Sequence, residues 1–169
     1  TASDDGINGA GGNDGSSMGR PGGEWGPGAA GGNAVVIISG GYLYINAGGD
    51  GLDSNGSFTM SGGTVLVDGP TNGGNGALDY DSSFTVSGGT LIASGSTGMA
   101  QNASASSTQC CVLAFASGNG DTIVNITDEN GVSVITYKPS KQFGCILVSS
   151  PALKLGGKYN ISTGGACSG

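Results

Sequence analysis

Short alternating runs of apolar and polar residues flank a Ser-Gly-Gly triplet at three places along the chain. Aligned on that triplet, residues 36–45, 58–67 and 84–93 superpose. Each segment has an apolar or β-branched half on either side of the triplet, which predicts a strand, a Gly-Gly corner and a second strand. The serines of the triplets are 22 and 26 residues apart, the length of one coil of a solenoid. The pattern predicts a parallel β-solenoid built from stacked repeats.

A second repeated element lies between these segments and has the form polar, Gly, aliphatic, then Asp or Asn. It occurs at residues 4–8, 49–55 and 74–81. The period-2 alternation of a strand directs the aliphatic residues Ile7, Leu52 and Leu78 inward and their polar neighbours outward. We therefore expect an apolar file flanked by acidic ones.

Acidic files at strand spacing require a counter-charge. Two carboxylates about 4.8 Å apart repel each other by roughly 3.5 kcal/mol at an effective dielectric of about 20. Ca²⁺, with oxygen ligands at about 2.3–2.6 Å, fits between them better than Mg²⁺, which demands a tight octahedron. The alternative is that these side chains only bond their own backbone in turns. We expect several Ca²⁺ ions, with ligands from Asp4, Asp5, Asn8, Asp50, Asp53, Asn55, Asn75, Asp79 and Asp81.

Composition and charge narrow the class of function. The 169 residues include 37 Gly but 5 Pro, and the net charge is −7. The glycines follow no collagen period, and no window has the pattern of an amphipathic helix, so an all-β chain is expected. The negative charge argues against nucleic acid as a partner, and no apolar run is long enough to insert into a membrane.

The residues needed for catalysis are scarce. The chain has no His, which excludes Ser-His-Asp and Cys-His nucleophiles. A calcium-dependent polysaccharide lyase needs a Lys or Arg base near the metal, but Arg20 is the sole arginine and the four lysines all lie beyond residue 137. We expect no enzymatic activity.

A glycine-rich stretch at about residues 9–33 interrupts the first repeat. It contains Trp25, for which three roles stay open: a platform for sugar stacking, an interface anchor or a cover over the core edge. Tyr42 and Tyr44 are further candidates for stacking on sugar.

The C-terminal region, residues 108–169, changes character. Five apolar, β-branched runs predict strands at 111–115, 122–126, 132–137, 144–150 and 158–162. Asp128-Glu129-Asn130-Gly131 predicts a hairpin. We expect this region to continue the solenoid and to form an antiparallel flank, within a single domain that spans residues 1–169 and has its repeats in residues 1–107.

The four cysteines are Cys110, Cys111, Cys145 and Cys167. An even number in a chain expected outside the cell favours disulfides. A bond between the adjacent Cys110 and Cys111 would be strained, which leaves two connectivities. Free buried thiols are the alternative.

Four segments carry a resemblance to a known family: Gly49–Gly56, Gly69–Asp81, Ser94–Gln101 and Ser149–Leu153. In these the chain resembles bacterial secreted carbohydrate-binding domain-containing proteins of the calcium-binding parallel β-helix family. The resemblance implies a right-handed parallel β-helix, structural Ca²⁺ and, for some members, binding to cellulose or acidic polysaccharide. It is also similar to pectate-lyase folds, without implying their activity. Cys110-Cys111 departs from the family pattern and suggests a covalent role specific to this chain.

The first residues lead to the expected location and assembly. The chain opens at Thr1-Ala2-Ser3-Asp4 without a signal peptide, as a processed secreted or cell-surface protein would. It starts within a repeat, with no cap before residue 3. Because uncapped solenoids expose strand edges and head-to-tail addition does not close, we expect a calcium-stabilised extracellular fibre of identical subunits. The alternative is a module that binds cellulose or an acidic polysaccharide such as polygalacturonate.

Overall fold

The computed structural model describes residues 1–9 and 34–166, which form fourteen β-strands and no helix. The expected all-β class is therefore confirmed for this part of the chain. In these ranges there is accordingly no helix long and apolar enough to cross a membrane. The glycine-rich stretch with Trp25, and also Cys167, lie outside the described residues.

The first nine strands form three parallel sheets, and each repeat contributes one strand to each sheet. The first repeat contains β1 (Ile7–Gly9), β2 (Val35–Ile38) and β3 (Tyr42–Asn46). The second contains β4 (Leu52–Ser54), β5 (Ser57–Met60) and β6 (Thr64–Asp68). The third contains β7 (Leu78–Tyr80), β8 (Ser83–Val86) and β9 (Thr90–Gly95). The parallel orders are β1-β4-β7, β2-β5-β8 and β3-β6-β9.

The register of these sheets is the one that the Ser-Gly-Gly alignment predicts. Val36 pairs with Phe58, and Phe58 pairs with Phe84. The strands after the triplets pair in the same alignment, because every residue of β6 lies beside its counterpart in β3 on one side and in β9 on the other. The sequence repeat is therefore also the structural repeat.

Glycine makes the corner between the second and third strand of each repeat. Gly41, Gly63 and Gly89 have φ values of +82°, +87° and +87°, a left-handed conformation that L side chains rarely adopt. At Gly63 an added Cβ would also lie 2.7 Å from a main-chain carbon of Gly40 in the repeat before it. The second glycine of each triplet is thus required by conformation, and at Gly63 and Gly89 it is also required by stacking on the repeat before.

The core of the repeats consists of files of like residues. Leu52 and Leu78 are buried, and Ile7 packs against them, as the alternation predicted. The rings of Phe58 and Phe84 also stack within this core, with centroids 5.3 Å apart. Burial of each such side chain contributes about 1.5–3 kcal/mol to folding.

The C-terminal region forms the five predicted strands: β10 (Cys111–Ala114), β11 (Val124–Asp128), β12 (Ser133–Tyr137), β13 (Cys145–Ser149) and β14 (Tyr159–Thr163). All pairings of these strands are antiparallel. Strand β13 pairs with β9 and extends that sheet to the order β10-β13-β9-β6-β3, while β12-β11-β14 form the C-terminal sheet. The antiparallel flank is confirmed, but in the described residues the parallel stack does not continue past β9.

The five-stranded sheet has a core on each face. On β9 and β13, Leu91 and Leu147 pack into the core of the repeats. Their neighbours Ile92 and Ile146 point the other way, into a second core beneath the C-terminal sheet. This alternation joins the two parts of the molecule through one shared sheet.

Asp68, at the end of β6, ties the repeats to the C-terminal region. Its carboxylate is 1% exposed and accepts bonds from the hydroxyls of Tyr44 at 2.8 Å and Tyr137 at 2.7 Å. Ser140 donates both its main-chain N–H, at 2.9 Å, and its hydroxyl, at 2.6 Å, and Ser94 donates at 3.2 Å. Burial alone would raise the pKa of Asp68, but these bonds hold it below its ordinary value.

The segment Gln101–Gln109, the cap, covers the outer edge of β8. The main chain of Phe84 is bonded on both sides of its Cα, since its N–H donates to the Ser104 hydroxyl at 2.9 Å and its C=O accepts from the Ser104 N–H at 2.8 Å. Likewise the N–H of Val86 donates to the Ser107 hydroxyl at 3.0 Å, and the C=O of Val86 accepts from the main-chain N–H groups of Thr108 and Gln109. The cap thus takes the place that a further parallel strand would occupy.

The expected disulfide is not formed among the three described cysteines, since Cys110, Cys111 and Cys145 are all free. Cys111 lies opposite Ser149 at one end of β13, whereas Cys145 is the first residue of that strand. Four residues of strand separate Cα atoms by roughly 13 Å, which is too far for a disulfide. Cys145 is instead a buried thiol that donates to the Ser96 carbonyl at 3.1 Å, and burial raises its pKa.

We predict that Asp68→Asn lowers the free energy of unfolding by about 3 kcal/mol, because it removes a buried charged acceptor and places an NH₂ group among donors. Urea denaturation measures the change. Asp121→Asn is the control, since the exposed carboxylate of Asp121 pairs with an exposed Lys138 at 3.1 Å, and its loss should change stability by less than about 0.5 kcal/mol. Equal effects of the two substitutions would contradict the claim that Asp68 holds the repeats and the C-terminal region together.

Candidate metal centre

One open cavity of about 360 Å³ collects the predicted metal ligands. Its lining consists of nine side chains, and they are the nine proposed from the sequence: Asp4, Asp5, Asn8, Asp50, Asp53, Asn55, Asn75, Asp79 and Asp81. Six are carboxylates, three are amides, and the lining includes no basic residue. The repeat pattern therefore identified a real juxtaposition.

The sheet β1-β4-β7 positions the middle of the cavity. Asn8 pairs in register with Asp53, and Asp53 pairs with Asp79. Each is the outward neighbour of a residue of the buried aliphatic file. Burial of that file holds the carboxylates of Asp53 and Asp79 on the same side of adjacent strands, where they repel each other.

The turns before these strands are joined across repeats by carboxylate–backbone bonds. Asp5 accepts the N–H of Asp50 at 2.8 Å, and Asp50 accepts the N–H of Gly76 at 2.6 Å. Asn8 donates its amide to Asp5 at 2.8 Å. These bonds fix two carboxylates at the rim and leave each with further acceptor capacity.

Gly49 has no side chain, and this leaves space for the carboxylates of Asp4 and Asp5 at the rim of the cavity. At Gly49, an added Cβ would collide with carboxylate oxygens of both Asp5 and Asp4. The equivalent position in the next repeat is Asn75, which lines the cavity. Sequence reasoning did not single out Gly49 for this role, although its position in the same file as Asp4 and Asn75 was a usable signal.

The carboxylates that line the cavity are close enough to raise one another's pKa values. Burial raises the pKa of Asp53 to about 6, and repulsion from four neighbouring carboxylates adds to the shift. Burial, together with carboxylate repulsion, also raises the pKa of Asp50 and of Asp79. These shifts mean that the negative charge is poorly compensated by the protein itself.

Asn55 supplies an acceptor without a donor. Its Oδ1 is buried, and in the described residues it has no hydrogen-bond partner. Such orphaned oxygens are rare in folded proteins, and a cation at the cavity would satisfy this one. The donor set of carboxylate and amide oxygens is the one that Ca²⁺ prefers.

The nine side chains share a cavity without forming one tight cluster. Across residues 1–9 and 34–166, no three side chains of His, Cys, Asp and Glu make up a group that could hold a metal ion by themselves. An ion here would therefore need amide and main-chain oxygens beside the carboxylates, as Ca²⁺ coordination allows.

The two candidate aromatic residues that the structure describes do not belong to this cavity. Tyr42 and Tyr44 lie on β3, in another sheet, and are 70% and 45% exposed. The hydroxyl of Tyr44 is engaged with Asp68, which leaves Tyr42 as the freer of the two rings. The structure thus separates the predicted acidic site from the predicted aromatic one.

Comparisons with protein-family models, with curated proteins and with solved structures found no match. The family resemblance noted from the sequence therefore stays a prediction.

We predict that the metal-free protein is more stable at pH 5 than at pH 7.5. Because the folded pKa of Asp53, about 6, lies above its ordinary value of 3.8, the folded state binds more protons than the unfolded state between these values, and stability falls as the pH rises. The pKa of Asp68 is shifted in the opposite direction, and this shift affects stability at pH values below the ordinary pKa of an aspartate. Urea denaturation of metal-stripped protein at the two pH values measures the difference.

The control is Asp53→Asn, which should remove much of this pH dependence. A metal-free protein whose stability is equal at the two pH values, or lower at pH 5, would contradict the crowding of the carboxylates.

Proposed function

We propose that this chain is an extracellular, non-enzymatic, calcium-binding protein with the fold of a right-handed parallel β-helix. The observation that carries the proposal is the single cavity lined by six carboxylates and three amides, with no basic residue among them. Neutralising that charge with divalent ions takes several of them, and the in-register stacking of Asn8, Asp53 and Asp79 supplies ligands on three successive strands.

The order of the strands supports the solenoid. Three repeats each contribute one strand to each of three sheets, in the same sequence order and in register. A chain that returns to the same sheet after each coil stacks its turns along one axis. The general preference for right-handed crossovers between parallel strands favours the right-handed form.

Calcium is preferred over other metals because of the ligand chemistry. The chain has no His, and none of the residues that line the cavity is Cys, so the soft and nitrogen ligands typical of zinc and copper are missing there. The cavity is open and its ligands are spread over three repeats, which suits the larger and more variable coordination shell of Ca²⁺. Calcium is also abundant enough outside the cell to fill sites of modest affinity.

The distribution of basic residues supports a non-enzymatic role. In the described part of the chain, Lys138 is paired with Asp121 and Lys141 donates to the Ala47 carbonyl. No lysine lines the cavity. None of the described lysines is therefore placed to act at this cavity as the proton-abstracting base of a lyase.

The predicted head-to-tail fibre receives mixed support. The first repeat fits the prediction, because its strands β1, β2 and β3 each end a sheet and have one edge without a partner strand among the described residues. The cap opposes it, because the main-chain groups of Phe84 and Val86 at the other end already have partners. Calcium binding within one molecule is therefore the function that the geometry supports best, and the fibre stays a prediction.

We predict that metal-stripped protein binds Ca²⁺ in a calorimetric titration and that Asp53→Asn together with Asp79→Asn lowers the number of bound ions. At a free Ca²⁺ concentration of about 100 times Kd, the ion should stabilise the fold by about 2.7 kcal/mol. Asp121→Asn removes the same kind of charge from an exposed site on the other part of the chain and serves as the control. An unaltered stoichiometry in the double variant would show that these are not ligands.

Carbohydrate binding is the alternative, and the exposed ring of Tyr42 is the observation that favours it. We expect a module of this class to show saturable binding to polygalacturonate or cellulose that weakens about tenfold in Tyr42→Ala, the loss typical of a stacking aromatic. Val132→Ala, at an exposed apolar residue in the turn between β11 and β12, is the control. Flat titrations with both polymers in Ca²⁺ would reject this alternative and leave calcium binding untouched.

A further inference from the structure

Among the residues that the structure describes, strand β10 is a sheet edge without a second partner strand. It bonds to β13 on one side and ends the order β10-β13-β9-β6-β3. In an antiparallel pair, alternate residues direct their N–H and C=O groups away from the partner strand. In the ranges that the structure describes, no main-chain hydrogen bond from outside the sheet reaches residues 111–114. The edge of β8, by contrast, is closed by the cap.

The residues at this edge are apolar and uncharged. Cys111–Ala114 are all partly exposed, and the next residue, Phe115, is 72% exposed. Edge strands normally carry Lys, Pro or a bulge that prevents pairing with another chain. None of these is present between Gln109 and Ser117.

The distribution of charge along the chain indicates which kind of partner fits the edge of β10. The chain has a net charge of −7, yet it has no Asp, Glu, Lys or Arg from Ser82 to Gly120 or from Gln142 to Leu153. Those two segments contain β8, β9, β10, β13 and the cap. Two copies of an acidic molecule repel each other least where neither carries charge, and this end of the molecule is such a surface.

We infer that β10 is a self-association edge, at which a second copy of this chain adds its own β10 in antiparallel orientation. A two-fold axis through Leu113 sets the run Cys111–Phe115 against itself, with apolar residues facing apolar ones. Such an interface is isologous and closes at the dimer. The five-stranded sheet then becomes one ten-stranded sheet across two molecules, and both calcium cavities stay free.

This inference is independent of the calcium proposal, because β10 contains no residue of the cavity. It also differs from the head-to-tail fibre, which joins unlike ends and does not close.

Sedimentation velocity of the full chain over a wide concentration range, in Ca²⁺ and in metal-free buffer, tests the stoichiometry. The expected result is a monomer–dimer equilibrium in both buffers. Species larger than dimers, or monomers at every concentration, would overturn the inference. Absence of Ca²⁺ binding with dimerisation intact would reject only the calcium proposal.

Hydrogen exchange and a matched pair of variants test the surface. Amides of residues 110–116 should gain protection as concentration rises, whereas those of β3 should not. Phe115→Lys places a charge at the edge and should raise the dimer dissociation constant at least about tenfold. Val132→Lys alters another exposed apolar side chain, 61% exposed, and should leave the constant within about twofold. Protection at β3, or equal effects of the two variants, would place the interface elsewhere.

Discussion

In-register parallel stacking is the constraint on which the rest of the structure depends. It places equivalent residues of successive repeats about 4.8 Å apart, whatever their chemistry. For Leu52 and Leu78, or for Phe58 and Phe84, the result is a continuous apolar file that stabilises the fold. For Asp53 and Asp79 the same geometry is repulsive, and burial together with repulsion from neighbouring carboxylates raises the pKa of both. The acidic cavity is therefore a consequence of the register that builds the core, and a cation there would relieve a strain that the fold itself imposes.

The repeats and the residues that line the acidic cavity could be predicted because both follow from local periodicity. The Ser-Gly-Gly triplets fix the corner through Gly63 and its equivalents, and the spacing of the triplets sets which residues stack. Once the register is known, the outward neighbours of the aliphatic file must share one side. The five C-terminal strands could be predicted equally well, because each is a β-branched run that ends at a turn.

The parts that could not be predicted depend on contacts between distant residues. Asp68 follows a strand like any turn aspartate, but its partners Tyr137 and Ser140 lie far along the chain. The cap is a run of Ser, Thr, Gln and Ala that is typical of a loop, and its role appears only when its hydroxyls meet the edge of β8. The cysteine spacing allowed a bridge between Cys111 and Cys145, which the length of β13 then excludes.

The reversal of strand direction after β9 bears on how the stack ends. A parallel strand added at this point would present the same edge as the strand before it, so the end of the stack would always accept one more repeat. Strand β13 instead pairs antiparallel with β9, while the cap occupies the edge of β8. Strand β10 reverses direction again, so its exposed main-chain N–H and C=O groups follow the antiparallel pattern. They no longer match the edges of the parallel repeats, which have acidic residues beside their strands and glycine at their corners. The C-terminal region therefore ends the acidic register of the repeats and replaces it with an uncharged edge of different chemistry.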